Sequence, residues 1–308
     1  MIDIFLRTLP FFAIIGLGYW AGHTRFFTAE ATAYLTKFVF YFALSAMLFR
    51  FAANLDMAAV FNGRLIAGYL WGTAFVYGIA TAVGFLRGLN VQVAAIEAQC
   101  AVIGNVGFLG LPMFVILFGE ASIGPMMLVL ATDLIVFSSL IVILINGARD
   151  GRMRPAVLKT VGLGLLKNPM IVMISAGMAW SAFAIPVPAV MNDFLTVLGG
   201  AATPGALFAI GASLAGKSAE RIEVAGWLTF CKLVLHPLAV GIGVMVLFPL
   251  PDYEATIVLA AAAMPVAGNV FMLAQHYGIA AKRVSAAILF STAASILTFP
   301  LVVGWVAS

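Results

Sequence analysis

Apolar residues run along this chain in blocks of about twenty, the length that crosses a bilayer core as a helix. Cutting at charge clusters and Gly/Pro punctuation gives ten candidate spans: 3–22, 31–52, 64–86, 94–118, 124–146, 168–185, 192–215, 224–248, 255–276 and 283–306. The sizeable polar connection is 147–167, "GARDGRMRPAVLKTVGLGLLK", and it divides the chain into a five-span half at 1–146 and another at 168–308. The predicted fold class is therefore an all-α polytopic membrane protein. An odd number of spans per half makes the second half enter the membrane inverted relative to the first.

Composition agrees with the pattern. Of 308 residues, 64% are hydrophobic and 9% charged, against about 45–50% and about 25% in soluble domains. Lys and Arg fall in alternate connections: Arg25 and Lys37, Arg87, then Arg149, Arg152, Arg154, Lys159 and Lys167, then Lys217 and Arg221, then Lys282 and Arg283. The opposite connections hold Arg50 and Arg64 beside Asp56, Glu120, Asp193, Asp252 and Glu254. The positive-inside rule places the first set in the cytoplasm and both termini outside; the location expected is an inner or plasma membrane. "MIDIFLRTLPFFAIIGLGYWAGH" lacks a convincing cleavage site and reads as a retained first span. Cys100 and Cys231 are isolated thiols inside apolar runs and imply neither a disulfide framework nor a metal site.

The fourth span of each half is interrupted. In "AVIGNVGFLGLP" (101–112), Gly104, Gly107 and Gly110 weaken the helix, and Pro112 lacks an N–H while its ring meets the carbonyl of Phe108. Unwinding is expected between Gly104 and Pro112. In the ninth span, "MPVAGNV" (264–270), Pro265 frees the carbonyl of Ala261, and Gly268 and Asn269 follow. Both breaks carry Gly-Asn-Val, although Pro112 follows its Asn and Pro265 precedes its own. Unwound backbone is tolerated in lipid only where protein or a wet cavity satisfies it. Discontinuous helices in matching places of two inverted halves mark a midplane substrate site. Half-helices starting near Pro112 and Pro265 would turn N–H groups and positive dipole ends on that point, and Asn105 and Asn269 add amide donors. The chemistry suits a small organic anion. Kinks without function are the plainer alternative, since Gly and Pro are frequent in membrane helices.

Three ionisable groups lie within spans: Asp133 in the fifth, and Lys232 and His236 in the eighth. Charges at such depth face the bundle interior or a water path. Asp133 and Lys232 are expected to pair near the crossing, either as a proton-exchanging couple or as a fixed staple, with snorkelling of Lys232 a third possibility. His236 precedes Pro237 and would otherwise cap a kink. Glu97, Gln99, Gln275 and His276 are candidates for an inner vestibule, and Arg50 for an outer anion attractor. Small residues in "LSAMLFRFA" (44–52) and "PGALFAIGASLA" (204–215) suit either sliding against a moving domain or plain packing.

The motifs "GNVGFLGLP" (104–112), "KNPMIVMISAGM" (167–178), "ATPGALFAIGASLA" (202–215), "MPVAGNVFMLAQHYG" (264–278) and "STAASILTFPLV" (291–302) occur in order along nearly the whole chain. In them the chain resembles the auxin efflux carrier family, which includes plant PIN-like carriers and bacterial malonate-carrier-like proteins and is related in architecture to bile-acid sodium symporter-like folds. The resemblance implies ten helices as two inverted repeats, a scaffold from helices 1–2 and 6–7, and a transport domain from helices 3–5 and 8–10. It also implies elevator-type movement, a carboxylate held where broken helices four and nine cross, and a homodimer. Carried over by position, it marks Asn105, Pro112 and Pro265, with Asn269 less uniform in the family. With Gly104, Gly107, Phe108 and Gly268 around them, these form the candidate binding set. No cofactor is implied beyond a coupling ion, H⁺ or Na⁺.

Other function classes fit less well. The chain has no G-x-x-x-x-G-K-[ST] loop for nucleotide, no H-E-x-x-H, and His23, His236 and His276 are scattered, so neither direct ATP coupling nor an intramembrane enzyme is indicated. The formal charge of +4 sits in the loops and offers no nucleic-acid face. An anion channel or a membrane-embedded sensor could use the same crossed half-helices as a fixed pore or ligand site.

Overall fold

The computed structural model describes residues 2–55, 61–150, 156–216 and 222–306; the expectations placed on Asp56, Arg152, Arg154, Lys217 and Arg221 lie outside them. Among the described residues the chain is predominantly helical, with no strand. Seven helical stretches are long and apolar enough to cross a membrane: Ile4–His23, Ala29–Ala53, Gly63–Leu86, Glu120–Arg149, Ala189–Ala215, Ile222–Leu247 and Ala281–Val306. Each coincides with a predicted span. The other three predicted spans are not single helices of spanning length.

The helices are α1 (Ile2–His23), α2 (Ala29–Phe38), α3 (Leu44–Ala53), α4 (Gly63–Leu86), α5 (Val91–Val102), α6 (Leu111–Phe118), α7 (Ile123–Thr132), α8 (Ser138–Asp150) and α9 (Ala156–Lys167). They continue as α10 (Pro169–Ala182), α11 (Ala189–Gly200), α12 (Ala202–Ala215), α13 (Ile222–Phe230), α14 (His236–Ile242), α15 (Asp252–Ala262), α16 (Gly268–Tyr277) and α17 (Ala281–Val306). Local sequence fixes several starts. Thr28, Asn62, Asn90 and Asn168 each accept a hydrogen bond from a backbone N–H in the first turn of α2, α4, α5 and α10, which satisfies donors that a helix start leaves free.

The connection predicted as a polar linker is largely helical. The last turn of α8 and all of α9 fall inside 147–167, and the axis bends by 76° between Lys159–Lys167 and Pro169–Ala182. Asn168 caps the second helix and Pro169 supplies its first residue, where a missing N–H costs nothing.

Packing separates two groups of helices. In one, α1 lies along α12, and α3 along α10 and α11, with α2 against α12. In the other, α4 packs on α5 and α14, α5 on α8, α7 on α15, and α13 on α17. Glycines set the closest approaches within each group. A Cβ on Gly211 would stand 1.9 Å from the carbonyl oxygen of Ile15, and one on Gly18 would stand 2.2 Å from that of Phe208. A Cβ on Gly243 would come within 2.3 Å of the Gly68 carbonyl oxygen. Backbones that meet this closely gain dispersion contacts that compensate for the lack of a hydrophobic drive between helices in lipid. The small residues of α3 and α12 accordingly serve packing within their own group: Gly211 meets α1, and Ala52 and Ala53 meet Gly177 of α10.

Large apolar side chains also face outward along the helices. Leu86, Val190, Val197, Phe183 and Trp305 are all exposed, as a bilayer-facing surface requires.

Candidate binding site at the crossing of two broken helices

Helices α5 and α15 both stop in the interior of the molecule. Helix α5 ends at Val102 and the chain resumes as a π-helical turn at Val106–Gly110 leading into α6; α15 ends at Ala262 and resumes at Gly268 as α16. The non-helical pieces pair antiparallel, Gly104 opposite Val266. Asn105 N–H donates to the Pro265 carbonyl at 2.8 Å, and Ala267 N–H donates to the Ile103 carbonyl at 3.0 Å. Ser291 Oγ of α17 accepts from Val266 N–H at 3.1 Å. Most of the backbone released by the breaks is thus satisfied by protein, as an unwound segment at membrane depth demands.

The breaks differ from the expected ones in register. Unwinding is confined to Ile103, Gly104 and Asn105, and the chain is already turning at Val106, before Pro112. Pro112 sits instead at the second position of α6, within the turn that tolerates a missing N–H. The π-turn, closed by Leu111 N–H on the Val106 carbonyl, widens the coil just ahead of the Pro112 ring. The positive helix ends therefore lie at Val106 and Gly268, not at Pro112 and Pro265. Taking Gly104 and Val266 as centre, Val106 corresponds to Gly268 and Asn105 to Ala267. The repeated Gly-Asn-Val is offset by two residues, so Asn269 lies inside the first turn of α16 and is not the counterpart of Asn105.

Asn105 is buried, at 4% exposure, and its Oδ1 has no hydrogen-bond partner among the described residues; Asn269 is half-buried, and its Oδ1 also lacks a partner there. A half-turn about the last side-chain bond exchanges the oxygen and the NH₂ of such an amide. Each side chain therefore brings an unengaged amide edge to the crossing. The second half-helices add N–H groups of their first turns, which have no intrahelical acceptor. Gly107 and Phe108 face the other helix group: a Cβ on Gly107 would stand 2.8 Å from Cε of Met170, and the Phe108 ring stacks on Phe40 with centroids 6.3 Å apart.

Lys232, His236 and Asp133 are all buried. Asp133 opens a π-helical turn at Asp133–Phe137, and Lys232 lies in another at Cys231–Leu235; such turns are frequent at functional sites. No ion pair joins the two side chains. Tyr69 O–H of α4 donates to Asp133 Oδ1 at 2.8 Å, leaving Oδ2 without a partner. Lys232 Nζ donates to the Ala262 carbonyl at 2.5 Å and lies 3.1 Å from His236 Nδ1. The carbonyl that ends α15 takes the place expected of Asp133. It is closer to hand because Lys232 emerges beside the crossing, where a Cβ on Gly104 would stand 3.4 Å from Lys232 Cε. Nor does Lys232 snorkel, being 0% exposed.

His236 is held from both sides. Thr73 Oγ1 donates to the Tyr69 carbonyl at 2.7 Å and lies 3.0 Å from His236 Nε2. His236 Nδ1 lies 3.2 Å from the Ala262 carbonyl as well as beside Lys232; with the Thr73 hydroxyl proton committed to Tyr69, Nε2–H is the donor to Thr73, which makes Nδ1 the acceptor from Lys232. Tyr69, Thr73 and Ser291 escape a reading of the sequence alone. Their signal is a hydroxyl set in an apolar span, "YLWGT" for the first two and the start of "STAASILTFPLV" for the third.

Glu97 is also buried, at 1% exposure, and pairs with Arg87 at 2.8 Å and with Arg283. This clasp ties α5 to the end of α4 and the start of α17. At the other end of the same group, Asn62 Nδ2 donates to Glu254 Oε2 at 2.6 Å and Tyr253 O–H to the Phe118 carbonyl at 2.9 Å. Arg50 Nε donates to Asn192 Oδ1 at 3.3 Å, which gives it a structural partner on α11. Among the described residues, no three His, Cys, Asp or Glu side chains gather closely enough to hold a metal ion.

The chain is similar to known proteins over nearly its whole length. A family model described as membrane transport protein matches residues 3–303. A Rhizobium meliloti (strain 1021) protein named "Putative malonate transporter" is 30% identical over 308 residues, which cover 97% of this chain and 94% of the relative. An Escherichia coli (strain K12) protein named "Uncharacterized transporter YfdV" is 24% identical over 301 residues, covering 95% and 94%.

Proposed function

Because the chain belongs to the membrane transport protein family, the auxin efflux carrier family that its motifs resemble, we propose that it is a secondary carrier of a small carboxylate anion. The observation that carries the reading is the crossing itself: two helix starts converge with the unengaged amides of Asn105 and Asn269. Helix starts and amide donors together suit a carboxylate, whose oxygens accept charge-assisted hydrogen bonds. The name of the Rhizobium relative supports a malonate-like dicarboxylate.

In this reading the ten predicted spans form two inverted five-helix repeats, with α5–α6 and α15–α16 as spans four and nine. The group containing α1–α3 and α10–α12 is the scaffold, and the group containing the crossing is the transport domain that moves against it as an elevator. The lysine- and arginine-bearing connections face the cytoplasm and both termini lie outside. The carrier works as a homodimer. Support for the two-body division comes from packing: the main contacts between the groups are α1 on α6 and α17 and α12 on the Val106–Gly110 turn, with Met170 against Gly107 and Phe40 against Phe108 beside them.

Reconstitution into liposomes tests the proposal. Uptake of labelled malonate should saturate and should be accelerated by unlabelled malonate trapped inside. Unitary currents in planar bilayers would instead make the crossing a channel, and no response to any carboxylate would remove the anion from the reading.

A further inference from the structure

Charge at the crossing has two sides. The helix starts at Val106 and Gly268 favour an anion, while the carbonyl ends of α5 and α15, at Val102 and Ala262, carry the opposite partial charge and favour a cation. The Lys232 ammonium lies on that second side, bonded to the terminal carbonyl of α15 and to His236 Nδ1.

Its surroundings fix it there. The chain of donors runs one way, from Lys232 Nζ to His236 Nδ1, from His236 Nε2–H to Thr73 Oγ1, and from the Thr73 hydroxyl to the Tyr69 carbonyl. It ends on a backbone oxygen and so offers no onward path for a proton. The side chain is fully buried, and its Cε lies against Gly104 of the opposite broken helix. Other charged or titratable groups of the neighbourhood are Asp133 and Tyr69, bonded to each other.

We propose that Lys232 is a tethered cation: it neutralises the carbonyl side of the crossing from within the chain, so that anion binding on the other side requires no sodium. The inference rests on the carboxylate reading and gives that site its charge balance. A mobile cation would have to share the Ala262 carbonyl with an ammonium already 2.5 Å away, and like charges at that range repel. His236 and Thr73 position the ammonium.

The test is thermal melting of the purified protein in nanodiscs, with malonate as probe, in sodium chloride and in N-methyl-D-glucamine chloride of equal ionic strength. Without malonate, the wild-type melting temperature should be the same in both salts; a saturable stabilisation by sodium overturns the inference whatever the substrate proves to be. With malonate, the shift should be equal in both salts. Lys232→Arg should keep it, and Lys232→Met should weaken apparent malonate affinity by about tenfold or more, the usual range for coupled sites. A malonate shift that requires sodium, or a folded Lys232→Met with unchanged affinity, also overturns it. No malonate shift in either salt counts against the carboxylate reading alone, and the malonate-free comparison then decides the role of Lys232.

Discussion

Replacing Asn105 with Ala separates binding from stability. The Asn105 side chain is buried, yet its Oδ1 finds no partner among the described residues. A buried polar group left unpaired costs about 1–3 kcal/mol, so truncation relieves a penalty that offsets most of the small cavity it leaves. The unliganded melting temperature should therefore stay within a few degrees of wild type. Affinity should respond differently, because a hydrogen bond to a charged group contributes about 1.5–3 kcal/mol. At 1.4 kcal/mol per tenfold, that corresponds to a loss of roughly ten- to a hundredfold in malonate affinity. Melting curves with and without malonate read both quantities in one experiment. A variant that melts far lower but binds malonate as tightly would mean that Asn105 only holds the crossing together.

The Glu97 clasp makes a contrasting case. Breaking a buried ion pair costs about 3–5 kcal/mol, but Arg87 is 32% exposed and partly screened by water, so Glu97→Gln should lose about 1–3 kcal/mol of stability; an unchanged melting temperature refutes a structural role. Gly211→Ala should destabilise by at least about 1–3 kcal/mol, the usual range of overpacking, because its Cβ meets a backbone oxygen at 1.9 Å, whereas the new Cβ of Gly107→Ala crowds the flexible tip of Met170 and meets Leu130 at ordinary contact distance. The second variant should melt like wild type and transport more slowly, since Met170 belongs to the other helix group; equal melting of the two variants sinks that distinction. Asp133→Asn keeps an acceptor for Tyr69 but removes the ionisable oxygen, and should flatten the pH dependence of malonate uptake. Unchanged uptake with an unchanged pH profile takes Asp133 out of the mechanism.

Which of these residues could be read from the sequence depends on range. The breaks in α5–α6 and α15–α16 were legible because glycine and proline act locally, on their own turn, and an asparagine inside an apolar run has a cost that is visible without any partner. The seven spanning stretches follow from length and hydropathy alone. Partners were not legible: Tyr69 reaches Asp133 across 64 positions, Thr73 reaches His236 across 163, and Arg283 reaches Glu97 across 186. Opposite sign at similar depth in the sequence predicts that Asp133 and Lys232 meet. Each instead found a nearer neutral partner, a phenol and a carbonyl, and opposite sign alone did not decide the pairing.

Pro112 shows how a local rule can name the right region and the wrong residue. Proline disfavours the helix that precedes it, which places the break somewhere upstream within about a turn. It does not say how the preceding residues respond. Here the chain widens into a π-turn from Val106 and keeps turning, so the unwound part shrinks to Ile103–Asn105, and Asn105 itself enters the pairing with Pro265. That shift gives the asparagine its place. Had unwinding run on to Pro112, Asn105 would lie within a loop with backbone N–H groups of its own to satisfy. Because the coil resumes at Val106, its backbone N–H is committed across the crossing, its carbonyl accepts from Leu109 and Gly110, and only its side chain remains for a ligand.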